Sequence, residues 1–302
     1  MIYIVTPVHN RRELTRRCLE CLSVQTYPAY KIIVVDDGST DGTGEMIAEQ
    51  FPQVTVLRGD GTLWWTEATN VGIRLALKLA AEPSAGTSAG ERNFVLTLND
   101  DTEVRPDYLE TLLATEQQYR PCVVGSPSVD VANPEHLEFA GTRMNLVLAG
   151  GHHMADDFGR SYSTLLQHGD AVETDSLPGR GTLIPMEVFD KTGLFDSKRF
   201  AHYMADVEFS VRAHKAGYRL VVSTKSVVLE HVRATGIFLS QRPGWRDFMQ
   251  SFTSIKSPTN LTVRYHFAMI HTRTKLLYFA LDVARICVGF LRRKFQNPVS
   301  AA

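Results

Sequence analysis

Three short apolar runs alternate with helical periods in the first 57 residues, and few architectures accept that order. Ile2 to Thr6, Lys31 to Val35 and Val54 to Leu57 read as strands. Between the first two, Leu14, Cys18, Leu19 and Leu22 recur at helical spacing. Glu45 to Gln50 reads as a shorter helix before the third strand. Strand, helix, strand, helix, strand predicts parallel pairing with right-handed crossovers. The expected fold class is α/β, a Rossmann-like, mostly parallel central sheet flanked by helices.

Two of these strands end in acids. Lys31 to Val35 runs into Asp36-Asp37-Gly38-Ser39-Thr40-Asp41. A later apolar run, Phe94 to Leu98, stops at Asn99-Asp100-Asp101. In open α/β sheets the carboxyl edge of the strands is where ligands bind. Adjacent carboxylates repel and resist burial unless they are solvated or a cation sits among them. A carboxylate at the first end can accept from nucleobase or ribose groups. The alternative at both ends is a polar turn with helix caps.

The rest of the chain is read in order. Pro7 ends the first strand, and His9-Asn10-Arg11 form a polar loop. After "RGDG", Trp64 and Trp65 stand beside a helix carrying Ala68, Val71, Leu75 and Leu79. Either Trp lines a sugar or base pocket, or it is core. Gly72 lets that helix approach a strand closely. Glu82 to Glu91 reads as a surface loop, Pro106 to Leu113 as a helix, and Cys122 to Gly125 as a short strand. Asp130 to Asp175, with segments such as Met144 to Leu148, reads as antiparallel strands or a hairpin with a mobile loop. His152 and His153 point opposite ways on a strand and read as loop or surface histidines. Arg180, between Gly179 and Gly181, faces an anionic ligand or the surface. Val207, Val211 and Ala216 mark a helix ending at Gly217, with Asp206 and Glu208 near its start. Those acids complement the helix dipole, or one is a general base. Leu220 to Val222 and Val227 to Leu229 read as strands, and Glu230-His231 follow.

Composition bounds the function classes. The chain has 302 residues, 44% hydrophobic and 22% charged, with a net charge of −1. That supports a sizeable core and argues against a nucleic-acid partner. The four cysteines form no disulfide framework, and Cys18 and Cys21 lie within a helical pattern. No secretory signal or bilayer-length apolar run is evident. A cytoplasmic location is expected.

Together, "IVTPVHNR", "VVDDGSTDGT", "GDGTLWWTEATNVGI", "LTLNDDTEV", "GRGTLIPMEVFDKTGLFD" and "ADVEFSVRAHKAGYRL" resemble the family 2 glycosyltransferases with a GT-A fold. The resemblance covers roughly residues 1 to 235. It implies that Thr6, Pro7, Asp36 and Asp37, with Asn99 and Asp100, hold the nucleotide. It implies a divalent metal, Mg²⁺ or Mn²⁺, on Asp101 and His231. The first acid of the usual metal motif is replaced by Asn99, and the Glu of the usual acceptor-side pair by Ala205. Asp206, the family's catalytic base, is present. Trp64, Trp65, Arg180 and Glu208 are candidate contacts to donor sugar or acceptor. The implied reaction is single displacement with inversion. A nucleoside-diphosphate sugar, UDP- or dTDP-linked, gives its sugar to a glycan or lipid-linked acceptor in surface polysaccharide or glycolipid assembly.

Residues 236 to 302 fall outside the resemblance. Tyr265 to Phe295 reads as helical, apolar at Phe267, Ile270, Leu277, Ala280, Leu281, Ala284 and Val288. Arg264, Arg273, Lys275, Arg285, Arg292, Arg293 and Lys294 accompany a single acid, Asp282. Such a segment lies on an anionic membrane surface at the inner face of the cell membrane, packs on the domain, or forms an oligomer. Two rival functions remain at this stage. One is a non-catalytic subunit that binds a nucleotide sugar. The other is a sugar-1-phosphate nucleotidyltransferase, although "TPVHNRRE" lacks the glycines of a triphosphate loop.

Overall fold

The structure, a computed structural model, describes residues 1–82, 92–232 and 244–295. Ten helices and fourteen strands are assigned among them. The first half alternates as expected: β1 (Ile2–Val8), α1 (Arg12–Ser23), β2 (Tyr30–Asp36), α2 (Thr43–Gln50), β3 (Thr55–Arg58), α3 (Trp64–Ala81), β4 (Phe94–Thr97), β5 (Thr102–Val104) and α4 (Tyr108–Tyr119). Short strands dominate the middle: β6 (Cys122–Gly125), β7 (Ser128–Asp130), β8 (Asn133–Phe139), β9 (Thr142–Asn145) and β10 (Gly150–His153). Then come α5 (Tyr162–Leu166), β11 (Ala171–Glu173), β12 (Thr182–Pro185), α6 (Glu187–Thr192), α7 (Ala205–Lys215), β13 (Arg219–Ser223) and β14 (Val228–Glu230). Helices α8 (Trp245–Ser251), α9 (Leu261–His271) and α10 (Leu276–Phe295) close the described chain.

The central sheet has eight strands in the order β11-β13-β6-β12-β4-β1-β2-β3. Strands β3, β2, β1 and β4 are parallel, and β13 is parallel to β6. Strand β12 runs antiparallel between β4 and β6, and β11 antiparallel to β13. The sheet is thus mostly parallel and helix-flanked, as the alternation predicts. Strand β12 was not anticipated: Gly179 and Gly181, just before it, suggested only a loop around Arg180. All four of its residues are buried. A second, mixed sheet, β5-β14-β7-β8, in which only β14 and β7 run parallel, and the antiparallel β9–β10 hairpin are the smaller elements.

The two sheet faces build two cores. Tyr3, Val5, Ile33, Val35 and Val95 face α3 and the α7 side. Ile2, Ile4, Ile32, Val34 and Leu96 face the α1, α2 and α4 side. That alternation is the strand period of two, here apolar on both faces. Gly72 sets the distance of α3. A Cβ there would lie 2.4 Å from Val5 Cγ1 and 3.2 Å from Val35 Cγ2. We expect Gly72→Ala to lower the unfolding free energy by about 1–2 kcal/mol. Overpacking of about 1–3 kcal/mol exceeds a helix-propensity gain of about 1 kcal/mol. Urea titration of both proteins measures it, and an unchanged midpoint would show that the valine wall yields.

Some sequence boundaries shift. The helix expected over Pro106 to Leu113 is α4, which runs on to Tyr119 because Leu112, Thr115 and Glu116 stay buried. The segment from Met144 to Leu148 is not one strand: β9 ends at Asn145, whose side chain accepts from the N–H groups of Val147 and Leu148 and makes the hairpin turn. The single helical pattern from Tyr265 to Phe295 is two helices. Thr272 Oγ1 caps the break by accepting from Lys275 N at 3.1 Å. The loop expected over Glu82 to Glu91 lies, beyond its first residue, outside the described residues, as do residues 233–243 and 296–302.

The C-terminal helices are packed on the α/β layer. Phe267, Ala268 and Tyr278 join its core. His271 Nε2 pairs with Glu208 Oε1 at 3.0 Å. Among the described residues no helix is long and apolar enough to cross a membrane.

Candidate active site

The carboxyl ends of β1, β2 and β4 emerge side by side, because Val8 pairs with Asp36 and Val5 with Thr97. The loops that leave them carry His9 to Arg11, Asp37 to Asp41 and Asn99 to Asp101. Asp100 and Asp101 are 4% and 3% exposed. Arg11 Nη1 donates to Asp101 Oδ2 at 2.8 Å and to Asp100 Oδ1 at 3.2 Å. Burial, and then the neighbouring Asp101 charge, push the Asp100 pKa up to about 7 against the pull of Arg11. Asp100 Oδ2 is buried without a hydrogen-bond partner.

The two acids that follow β2 have different duties. Asp36 Oδ1 accepts from Ser39 N at 2.9 Å, which tightens the turn. Asp37 is spent on α3. Its Oδ1 accepts from Gly61 N at 2.9 Å, and its Oδ2 from Leu63 N at 3.0 Å and Trp64 N at 3.1 Å. A carboxylate at a helix start satisfies orphan N–H groups and meets the positive end of the dipole. It also holds Trp64 at φ +57°, a conformation that needs such support. Thr6 Oγ1 is buried without a partner, and Pro7 is half-buried.

Trp65 ties the acidic end of β4 to the start of α7. Its Nε1 donates to Asn99 Oδ1 at 3.0 Å. The indole lies against Gly179, where a Cβ would come within 2.1 Å of it. Gly179 N in turn donates to Asp206 Oδ2 at 3.0 Å, while Val207 N donates to Oδ1 at 2.9 Å. Burial raises the Asp206 pKa above the usual carboxylate value, opposed by those N–H groups and by the Arg180 charge. Asp206 and Glu208 are the first-turn acids of α7, and of the two Asp206 keeps part of its surface exposed.

Other sequence candidates find partners within the protein. Arg180 is partly exposed: its Nε donates to the buried Glu230, and its guanidinium lies over Phe139. Glu208 is drawn away by the helical extension. Its Oε1 accepts from Arg212 at 2.8 Å and from His271, and its Oε2 accepts from Arg212 at 2.7 Å. Strand β14 pairs with β5, which brings His231 beside the acidic end. His231 N donates to Asp101 O at 3.0 Å, and its ring Nε2 bonds Glu103 Oε1 at 2.8 Å. His152 bonds Asp157 at 2.9 Å on the surface. Trp64 meets His202 edge-on at 5.8 Å, and Lys256 lies over its ring.

Two residues were not singled out from sequence: Arg11 and His202. His202 has its pKa lowered by burial and by the Lys256 and Arg11 charges, and its Nδ1 is buried without a partner. The position of Arg11 three residues past a strand end was the available signal. His202 offered none beyond lying four residues before Asp206.

Hard-oxygen donors suit a divalent cation such as Mg²⁺, which is commonly held by one or two carboxylates plus substrate phosphates. Two buried carboxylates share the Arg11 guanidinium, and one of their oxygens is orphaned. That arrangement fits such an ion. Among the described residues no three His, Cys, Asp or Glu side chains converge into a closed metal cage.

Comparison with known proteins agrees with this architecture. The profile described as glycosyl transferase family 2 matches residues 3–191. N-acetylglucosaminyl-diphospho-decaprenol L-rhamnosyltransferase of Mycobacterium tuberculosis is 26% identical over 226 residues, which is 71% of each chain. Glycosyltransferase GlyA of Streptococcus pneumoniae is 32% identical over 119 residues, 39% of this chain but only 15% of that protein. Among solved structures, S. aureus TarS residues 1–349 superposes with a TM-score of 0.55 at 15% identity, covering 97% of this chain and 71% of that one. Mannosyltransferase PcManGT from Pyrobaculum calidifontis, in complex with GDP-Man and Mn²⁺, gives 0.53 at 17% identity, covering 97% and 83%. These structures share the GT-A sheet. The profile covers well over half of the chain, and with the sheet, the acidic strand ends and the α7 acid in place, the chain belongs to glycosyl transferase family 2.

Proposed function

We propose that the protein moves a sugar from a nucleoside-diphosphate sugar to an acceptor hydroxyl in one inverting displacement. The observation that carries this is the Asn99–Trp65–Gly179–Asp206 connection, which fixes a raised-pKa carboxylate relative to the acidic strand end. Asp206 takes the proton from the acceptor hydroxyl as its oxygen bonds the anomeric carbon. The bond from that carbon to the diphosphate oxygen breaks, and the electron pair leaves with the nucleoside diphosphate. Attack from the opposite side inverts the anomeric centre, and no covalent enzyme intermediate forms. Thr6, Pro7 and Asp36 border the base and ribose. Asp101, with Asp100 beside it and His231 across from it, would hold Mg²⁺ or Mn²⁺. When bound, the cation offsets charge that grows on the departing diphosphate. Arg11 balances the same acids when the cation is away.

The donor is a UDP- or dTDP-linked sugar. The mycobacterial relative, named for a polyprenyl-diphosphate acceptor, supports a lipid-linked acceptor. The test incubates the protein with Mn²⁺ and a panel of nucleotide sugars, with acceptor lipids or glycans, and follows nucleoside diphosphate release. Product NMR reads the anomeric configuration. We expect release that depends on acceptor, with inversion. Retention at that centre would overturn the single displacement. Nucleotide binding without transfer to any acceptor would assign a binding subunit. Release of pyrophosphate from a nucleoside triphosphate would assign a nucleotidyltransferase.

A further inference from the structure

Helix α10 carries apolar residues on two faces, and the sheet layer uses one of them. The inner face is pinned. Asp282, 1% exposed, accepts from Arg264 Nη1 at 2.9 Å and from Arg285 Nη2 at 2.8 Å. Phe290 is buried and stacks on Phe248 of α8 at 3.9 Å between ring centroids. Tyr278 is buried with Phe267 of α9. These contacts fix the roll of the helix about its axis.

The outer face is therefore presented to the surroundings. Leu277, Leu281, Val288, Leu291 and Phe295 are 53%, 36%, 47%, 40% and 72% exposed. Ala280 and Ala284 are exposed between them. Their spacing follows the helical period, so they make one stripe of about 27 Å at 1.5 Å per residue. A stripe of this length on a monomer surface marks an interaction site.

Its surroundings are basic. Arg273 and Lys275 precede the helix, Arg285 flanks it, and Arg292, Arg293 and Lys294 end it. Asp282 is the only Asp or Glu between residues 251 and 295, and it is buried. A second copy of this chain fits that face poorly. Self-pairing through the stripe sets cations against cations in either orientation, with no exposed acid from this segment to meet them. The helix is also not apolar enough to span a bilayer. An apolar stripe with a cationic rim is the pattern of a helix lying in a membrane interface.

We propose that α10 docks this protein flat on an anionic lipid surface, with Leu277, Leu281, Val288, Leu291 and Phe295 among the acyl chains and the exposed Arg292 and Arg293 on the headgroups, while Lys294 stays over Trp245. The assignment is independent of the transfer reaction, because vesicle binding requires neither donor nor acceptor.

The experiment is flotation of the full chain with phosphatidylcholine vesicles, with and without phosphatidylglycerol. Wild type should float with the anionic vesicles and stay behind with neutral ones. Each surface cation contributes about fivefold to partitioning, so R292E/R293E should bind at least about 25-fold more weakly. Raising the salt should release wild type in parallel. L281E/V288E, altered only at outward positions, should lose flotation yet keep its melting temperature and helical circular dichroism. No flotation of wild type on anionic vesicles would overturn the proposal. Equal flotation on neutral vesicles would overturn its electrostatic half and with it the choice of surface. Sedimentation of wild type as a dimer that L281E/V288E converts to monomer, without vesicle binding, would assign the stripe to a second copy instead.

Discussion

Asp206→Asn should lower the transfer rate about 10²- to 10⁴-fold, the usual contribution of a positioned general base. Nucleotide affinity should change little. The amide keeps the size of the carboxylate and can still accept from one of the two N–H groups, Gly179 or Val207, that now bind it. A steady-state comparison of kcat and KM separates the effects, since loss in kcat alone marks an interaction made in the transition state. The pH profile adds a second readout. The base must be ionised to act, and burial lifts its pKa. Activity should therefore rise with pH through a limb that lies above pH ~4, the ordinary aspartate value. In Asp206→Asn that limb should vanish. A variant with wild-type rate would remove Asp206 from the chemistry.

Asp101→Asn should abolish metal-dependent stabilisation by nucleotide. A ligand at about 100 times its Kd stabilises the native state by about 2.7 kcal/mol. In a chain of this size that amounts to a rise in Tm of about 4 °C. Wild type should show this rise with UDP or dTDP together with Mn²⁺, and a smaller one with nucleotide alone. The variant should show the same small rise with or without metal. Its unliganded Tm serves as the control, because the substitution leaves Arg11 paired with Asp100 and relieves the repulsion between neighbouring acids. A full metal-dependent shift in the variant would move the ion elsewhere.

The sheet was legible because strand and helix periods differ, and because apolar runs stopped abruptly at acids. Asp36, Asp100 and Asp206 announced themselves as carboxylates at element ends. Contacts between distant segments were not legible. Arg11 is 89 and 90 residues from the acids it bridges. Trp65 reads equally as core or pocket, since only the folded chain brings its indole N–H to Asn99. Glu208 read as a dipole acid or a candidate contact to donor sugar or acceptor, and only the fold shows that α9 supplies His271 to pair with it. Strand β12 was hidden because Gly179 and Gly181 lie just before its four residues and Pro185 ends it. The apolar positions of α10 were visible in the sequence, but periodicity locates a stripe without saying which way it faces. Here the inward side holds Asp282 and Tyr278, and the more apolar side looks out.

The hydrogen bonds that tie Asp37 to the start of α3 change how mutational scans of this site should be interpreted. Both of its carboxylate oxygens are occupied by three N–H groups at the start of α3. Alanine at that position would free Trp64 and Trp65, and through Trp65 the side chain of Asn99. Activity would collapse, and donor binding would weaken, whether or not a ligand touches the missing group. A phenotype at Asp37 therefore reports the setting of a loop, and only a contact-sensitive measurement, such as transferred NMR signals from bound nucleotide, distinguishes scaffold from hand.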